Sequence, residues 1–167
     1  MKEFDSLVEF AEHLIVLKAG IHHHTERALD KALQLIQTDA EKQIGHYQEE
    51  VGPYPAWAAL ADSTEAEKAR LGYPADAPLE REGDLANSFR HAREGDEGVV
   101  GSTDPVMEYH EFGTTRMPPR PALGPALFNN KERIRKIMGR ALVEAIVGGE
   151  IVNELDEDHF GYFGEEI

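Results

Sequence analysis

Apolar residues repeat at helical spacing near both ends of the chain. They fall at positions 4, 7, 8, 11, 14 and 15, and comparable runs occupy residues 25–47 and 123–146. A repeat of about 3.6 residues places such positions on one face of a helix. Gly20 is expected to break the first run, and Pro121 is suited to the first turn of the last one. The pattern therefore predicts helices over residues 4–18, 24–48 and 121–147.

The middle of the chain has turn chemistry in place of this repeat. Glycines and prolines punctuate residues 51–83, and the only tryptophan, Trp57, lies among them. Because burying an aromatic side chain stabilises a loop, this segment is predicted to be ordered and held against the body of the protein. A short helix is predicted over residues 65–71, capped by Ser63 or Thr64 and ended by Gly72.

Residues 84–102 have the pattern of an antiparallel hairpin. Strands are predicted over residues 86–93 and 98–102, joined by a turn over residues 94–98. The next segment, 106–112, fits either a helix or a strand. Long terminal helices around a small antiparallel sheet predict the α+β class.

The segment Tyr109–Pro121, called here the corner, restricts the backbone more than any other. Gly113 can adopt a positive φ, and three prolines hold the backbone that follows extended. Arg116 and Arg120 lie within this stiff stretch, where a guanidinium group can make directed contacts. Their residue type fits either capping of nearby carbonyls or pairing with carboxylates.

The charge is unevenly distributed over a chain of 167 residues with a net charge of -15. Residues 150–167 carry seven acidic residues and no Lys or Arg, whereas residues 114–140 carry seven basic residues and one acid. We therefore expect one domain over residues 1–149 and a separate acidic, aromatic tail over residues 150–167. So acidic a chain is a poor general binder of nucleic acid. It has no apolar stretch of about 20 residues, so no membrane association is expected.

The sequence offers no catalytic, cofactor or metal motif. The chain has no cysteine. The consecutive His22, His23 and His24 would point in three directions on a helix and could not bind one metal ion together. They are therefore expected to be solvated residues of a loop. We therefore expect a protein that is not an enzyme and holds no cofactor or metal. Two other classes stay open: a metal-dependent hydrolase, and a nucleic-acid-binding module that uses the basic residues between Arg116 and Arg140.

Five sequence blocks follow one another between residues 57 and 123. They are Trp57-x-x-Leu60-x-x-Ser63-Thr64 with Lys68, Leu79-x-Arg81-x-Gly83-x-Leu85-x-x-Ser88, Gly101-Ser102, Tyr109-His110-Glu111-Phe112-Gly113-Thr114, and Met117-Pro118-Pro119-Arg120-Pro121-x-Leu123. In this order they resemble the neck and tail-completion proteins of long-tailed bacteriophages, which are related to phage virion-morphogenesis proteins. The last block is the most specific, and Ala122 stands where the family usually has a bulky apolar residue.

The resemblance implies a structural virion protein at the head-tail junction, made in the host cytoplasm. Its subunits would form a homo-oligomeric ring, a hexamer or dodecamer, between the portal-connector stack and the tail terminator. Head-tail connector or adaptor proteins and the tail terminator would be its partners, and genomic DNA would pass through the lumen without specific binding. A tail terminator that caps the tail tube is the alternative within this class.

On this basis the corner is expected at a subunit interface. The interface prediction comprises two sets of residues, one in the corner and one in the tail. Arg120, with Arg116 second, is expected to meet an acidic partner, and the tail aromatics are expected either to dock on a neighbouring subunit or ring or to stay mobile. The residues are Tyr109, Phe112, Arg116, Arg120, Phe160, Tyr162 and Phe163.

Overall fold

The computed structural model describes residues 4–147. Within this range the chain forms four α-helices and a two-stranded antiparallel sheet, so the predicted α+β class is confirmed. Predictions for the tail, including Phe160, Tyr162 and Phe163, lie outside the described residues. The helices are α1 (Leu7–Gln43), α2 (Asp62–Leu71), α3 (Val106–Phe112) and α4 (Leu123–Val147), and the strands are β1 (Phe89–Glu94) and β2 (Glu97–Ser102).

Helix α1 is continuous where two helices were predicted. Gly20 does not end it, and the three histidines lie within the helix, so their assignment to a loop was wrong. A glycine inside a helix lowers helix stability by about 1 kcal/mol relative to alanine, which is a small effect in a packed helix of 37 residues. A Cβ at Gly20 would lie 3.9 Å from the carbonyl oxygen of Ala145, so the missing side chain also leaves room for α4.

The structure comprises two compact units. The described part of the first unit contains residues 4–32 and 132–147, and the second contains Leu33–Lys131. In the first unit, α1 and α4 lie side by side, and His24 Nδ1 is 3.8 Å from a carboxylate oxygen of Glu144.

A hydrophobic core organises the second unit. Phe89 and Met107 are buried in it together with Trp57 and Ala122. Ala122 is fully buried, so a larger side chain would need space that this packing does not provide. The buried cluster comprises Ala40, Ile44, Trp57, Leu85, Phe89, Met107, Ala122 and Ala126.

The hairpin is tighter than predicted. The register pairs Glu94 with Glu97, which leaves a two-residue loop in which Gly95 has a φ of 59°. This positive φ suits the twist of a short hairpin loop. Residues 86–88 form a turn of 3-10 helix, so the first strand begins three residues later than predicted.

Two glycines of the second unit are in close contact with aromatic rings. The ring of Tyr54 packs on Gly124 in α4, and the ring of Phe128, one helical turn later, packs on Gly52. Val51 and Tyr54 form a small antiparallel bridge that fixes this loop. A Cβ at either glycine would overlap the facing ring, so each glycine provides the surface on which the other segment's aromatic side chain lies.

Candidate assembly interface

The corner starts in the last residues of α3 and continues into a tight turn after the helix. Thr114 and Met117 form an antiparallel bridge, with the Thr114 amide donating to the Met117 carbonyl at 2.9 Å. Gly113 has φ 72° and ψ 176°, and a Cβ there would lie 2.9 Å from the backbone nitrogen of Pro119. This close approach explains the glycine, because other residues rarely adopt such a backbone. Arg116 lies at the tip of the turn and is exposed.

Glu111 caps the first turn of α4 from a different helix. Its carboxylate accepts hydrogen bonds from the amides of Ala122 at 2.8 Å, Leu123 at 3.2 Å and Gly124 at 2.9 Å. The first amides of a helix have no partner inside the helix, and the helix dipole favours an anion at this end. Glu111 therefore holds α3, the corner and the start of α4 in a fixed geometry.

Two side chains connect the loop after α1 to the far end of the corner. Trp57 is buried, as predicted, and its Nε1 donates to the carbonyl of Pro121 at 3.1 Å. Arg120 Nη2 donates to the carbonyls of Ala58 at 2.9 Å and Ala59 at 3.1 Å. The backbone amide of Arg120 also donates to the His110 carbonyl at 2.7 Å.

These contacts change the role assigned to Arg120. Its side chain is only 6% exposed and binds carbonyls of its own chain, so it is a clamp within the subunit. The expectation that Arg120 presents its guanidinium to an acidic partner does not fit this geometry. Of the two roles that the sequence allowed for the arginine residues, Arg120 has the capping of nearby carbonyls.

One face of α3 carries exposed apolar side chains, in contrast to the buried Arg120. Phe112 is 78% exposed, and Tyr109 and Val106, at spacings of three residues, are also large exposed apolar side chains. Such spacing places them along one face of the helix. With Arg116 they form what we call the α3 strip: Val106, Tyr109, Phe112 and Arg116. Large exposed apolar side chains on one helix face are typical of an interaction site.

A groove of about 700 Å³ runs beside the corner within the second unit. Its lining includes His110 and Arg116 of the corner, together with Leu85 and Asp104. Nδ1 of His110 is buried and has no hydrogen-bond partner among residues 4–147. Burial lowers the pKa of His110, and the nearby Arg120 charge lowers it further. His110 is therefore favoured in its neutral form.

Lys68 of α2 is a buried cation at the same groove. Its Nζ donates to the Ala77 carbonyl. Burial lowers the pKa of Lys68, and the charge of Glu80 opposes that effect.

Helix α2 starts at Asp62 without a side-chain cap, so the predicted capping by Ser63 or Thr64 was wrong. Its predicted end at Gly72, which has a φ of 82°, is confirmed.

The remaining candidate chemistry is sparse in the part of the chain that the structure describes. Among residues 4–147, no group of three or more His, Asp or Glu side chains could hold a metal ion. Within the same range, no helix combines the length and apolar character that crossing a bilayer requires.

Sequence reasoning missed one residue that organises the corner. Glu111 is in a quoted block of the resemblance, but capping patterns look for a side chain within about three residues of a helix start. Glu111 precedes Ala122 by eleven residues and reaches it through the folded turn. Local spacing therefore contained no signal for this contact.

Comparisons with known proteins add no further constraint. No protein-family model, no curated protein and no solved structure matches this chain.

Proposed function

We propose that this chain is a structural subunit of a ring at the head-tail junction of a long-tailed bacteriophage, between the portal-connector stack and the tail terminator. The observation that supports this proposal most is the network around the corner. Hydrogen bonds join three separate blocks of the sequence resemblance. Trp57 of the first block donates to the carbonyl of Pro121 in the last block, and Glu111 of the fourth block accepts from the amide of Leu123, also in the last block. Residues from these three blocks are thus held together in one hydrogen-bonded network.

The network fixes the corner from inside and leaves the α3 strip outside. A rigid apolar surface loses little conformational entropy when it binds, which favours a permanent contact between subunits. In the proposed ring, the α3 strip contacts a different surface of the next subunit. Contacts of this heterologous kind close into a ring when the rotation between subunits is a whole fraction of a turn.

The overall charge also supports a ring around DNA. A net charge of -15 opposes tight binding to phosphates, so DNA could pass through a ring of such subunits without being bound tightly. The virion is accordingly the proposed location, with the host cytoplasm as the place of assembly.

Replacing Phe112 tests this function in the purified full chain. Phe112→Ser removes the most exposed aromatic side chain of the α3 strip, and Leu71→Ser is the control, because Leu71 is an exposed apolar residue on α2. We expect native mass spectrometry and electron microscopy to show rings for the unmodified chain and for Leu71→Ser, and mainly smaller species for Phe112→Ser.

Imaging of virions completes the test. Density for the protein is expected between the portal-connector stack and the tail terminator. Density at the end of the tail tube would favour the tail-terminator alternative instead. Virions that lack the protein, or a purified chain that forms no ring with or without connector proteins, would contradict the proposal.

A further inference from the structure

The N-terminal half of α1 exposes an apolar surface that the described residues leave uncovered. Ile15 and Val16 are 69% and 70% exposed, and Val8, two turns earlier, is similarly exposed. Glu12 lies on the same face, because positions 8, 12, 15 and 16 are neighbours at helical spacing. We call this set the α1 face: Val8, Glu12, Ile15 and Val16. Large apolar side chains so exposed on one helix face are typical of a surface that packs against another helix.

A second exposed face lies on α4 in the same unit. Leu142 and Ile146 are large exposed apolar side chains, and Met138 and Arg135 precede them on the same side of the helix. The side chain of Arg135 is 72% exposed and pairs with Glu132, which is 57% exposed, at 2.9 Å. This set is called the α4 face: Arg135, Met138, Leu142 and Ile146.

The charges around the two faces have opposite signs. Between residues 4 and 17 the charged residues are Asp5, Glu9 and Glu12, all acidic. Between residues 131 and 140 there are five basic residues and one acid. Two α1 faces would bring acids together and two α4 faces would bring bases together, and both arrangements are disfavoured by repulsion. The acidic residues 150–167 would also be repelled by the α1 face. For the α1 face, an α4 face of another subunit is therefore the partner that matches apolar with apolar positions and acidic with basic ones.

We infer that the α1 face of one subunit packs against the α4 face of a second copy of this chain. In this contact the apolar residues supply affinity, and pairing of Glu12 with basic residues such as Arg135 selects the partner. The contact is heterologous, because each subunit uses one face to bind the next subunit and the other face to be bound. The inference deepens the proposed ring function and rests on it for ring closure, but the contact itself can be measured without a virion.

Charge reversal in the full chain tests the pairing. Glu12→Lys and Arg135→Glu are each expected to weaken self-association at least about tenfold, measured by sedimentation at low salt. The double variant E12K/R135E is expected to recover most of the loss, because every interface then contains one residue of each sign. Arg133→Glu is the control, since this exposed arginine lies on another side of α4, and it should change association by no more than about twofold.

Disulfide trapping identifies which faces meet, since the chain has no cysteine of its own. Ile15→Cys and Leu142→Cys are made as separate proteins. Under mild oxidation, a mixture of the two is expected to form a cross-linked dimer containing one of each, whereas neither protein alone should cross-link efficiently. Circular dichroism is the control, and each variant is expected to keep the helical content of the unmodified chain.

The inference would be overturned by an unmodified chain that stays monomeric, by reversal variants that associate like the unmodified chain, or by Ile15→Cys that cross-links to itself as readily as to Leu142→Cys. Absence of any cross-link in the mixture would mean that another segment or no partner covers the α1 face, and would also overturn it. If the reversal variants keep their rings and Phe112→Ser loses them, this inference fails while the proposed function stands. If reversal and rescue behave as expected but no ring is seen, the contact stands and the ring function fails.

Discussion

Glu111 offers the sharpest test of how the corner is held together. Glu111→Ala removes the acceptor for three amides at the start of α4. Loss of a helix cap costs about 0.5–2 kcal/mol, and loss of a hydrogen bond to a charged group costs about 1.5–3 kcal/mol. Ala122 is fully buried, so water cannot easily replace the carboxylate at its amide. We therefore expect the free energy of unfolding to fall by about 2–3 kcal/mol.

Urea unfolding followed by the fluorescence of Trp57 measures this change, because Trp57 Nε1 binds the carbonyl of Pro121 just before α4. Glu111→Gln keeps one oxygen acceptor without the charge and is expected to lose about half as much stability. Glu108→Ala is the control, as Glu108 is an exposed acid on the same helix, α3. If Glu111→Ala and Glu108→Ala lower the free energy of unfolding by the same amount, to within about 0.5 kcal/mol, the capping argument is refuted.

Two further predictions concern the same region. Arg120→Ala is expected to lower the free energy of unfolding of the monomer by about 1–3 kcal/mol, because it leaves the carbonyls of Ala58 and Ala59 without their donor; an unchanged urea midpoint together with lost self-association would instead restore a role between subunits. The pKa of His110 is lowered in the folded chain, so its contribution to stability is complete above its ordinary pKa of 6.5 and is lost as the pH falls below that value towards the folded pKa. The free energy of unfolding of His110→Gln should accordingly fall less between pH 6.5 and 5 than that of the unmodified chain. If the free energies of unfolding of the two proteins depend on pH in the same way, the lowered pKa of His110 is contradicted.

The elements that periodicity and turn chemistry specify were predictable. Helix α4 begins two residues from its predicted start, and the two strands form an antiparallel hairpin as expected. The continuity of α1 was not predictable from the same rules. Glycine at position 20 is a local signal for a break, but packing against α4 near Ala145 is a tertiary contact that sequence spacing does not report.

In the corner, too, the local sequence predicted the backbone but did not predict the tertiary contacts. Its restricted backbone was predictable from Gly113 and the prolines, because those residues constrain their own dihedral angles. Which arginine faces inward was not, since Arg116 and Arg120 have the same chemistry and both lie in stiff backbone. The choice depends on where the loop containing Ala58 and Ala59 lies, and that loop is more than 60 positions away in the sequence.

The paired contacts of Gly52 with Phe128 and of Gly124 with Tyr54 have a consequence for how this sequence can change over generations. A larger residue at either glycine is tolerated only after the facing ring has been replaced by a smaller side chain. The four positions therefore evolve as two linked pairs, and intermediates that change one member alone carry either a clash or a cavity. Among descendants of this chain, an alignment should show positions 52 and 128 varying together, and positions 54 and 124 likewise.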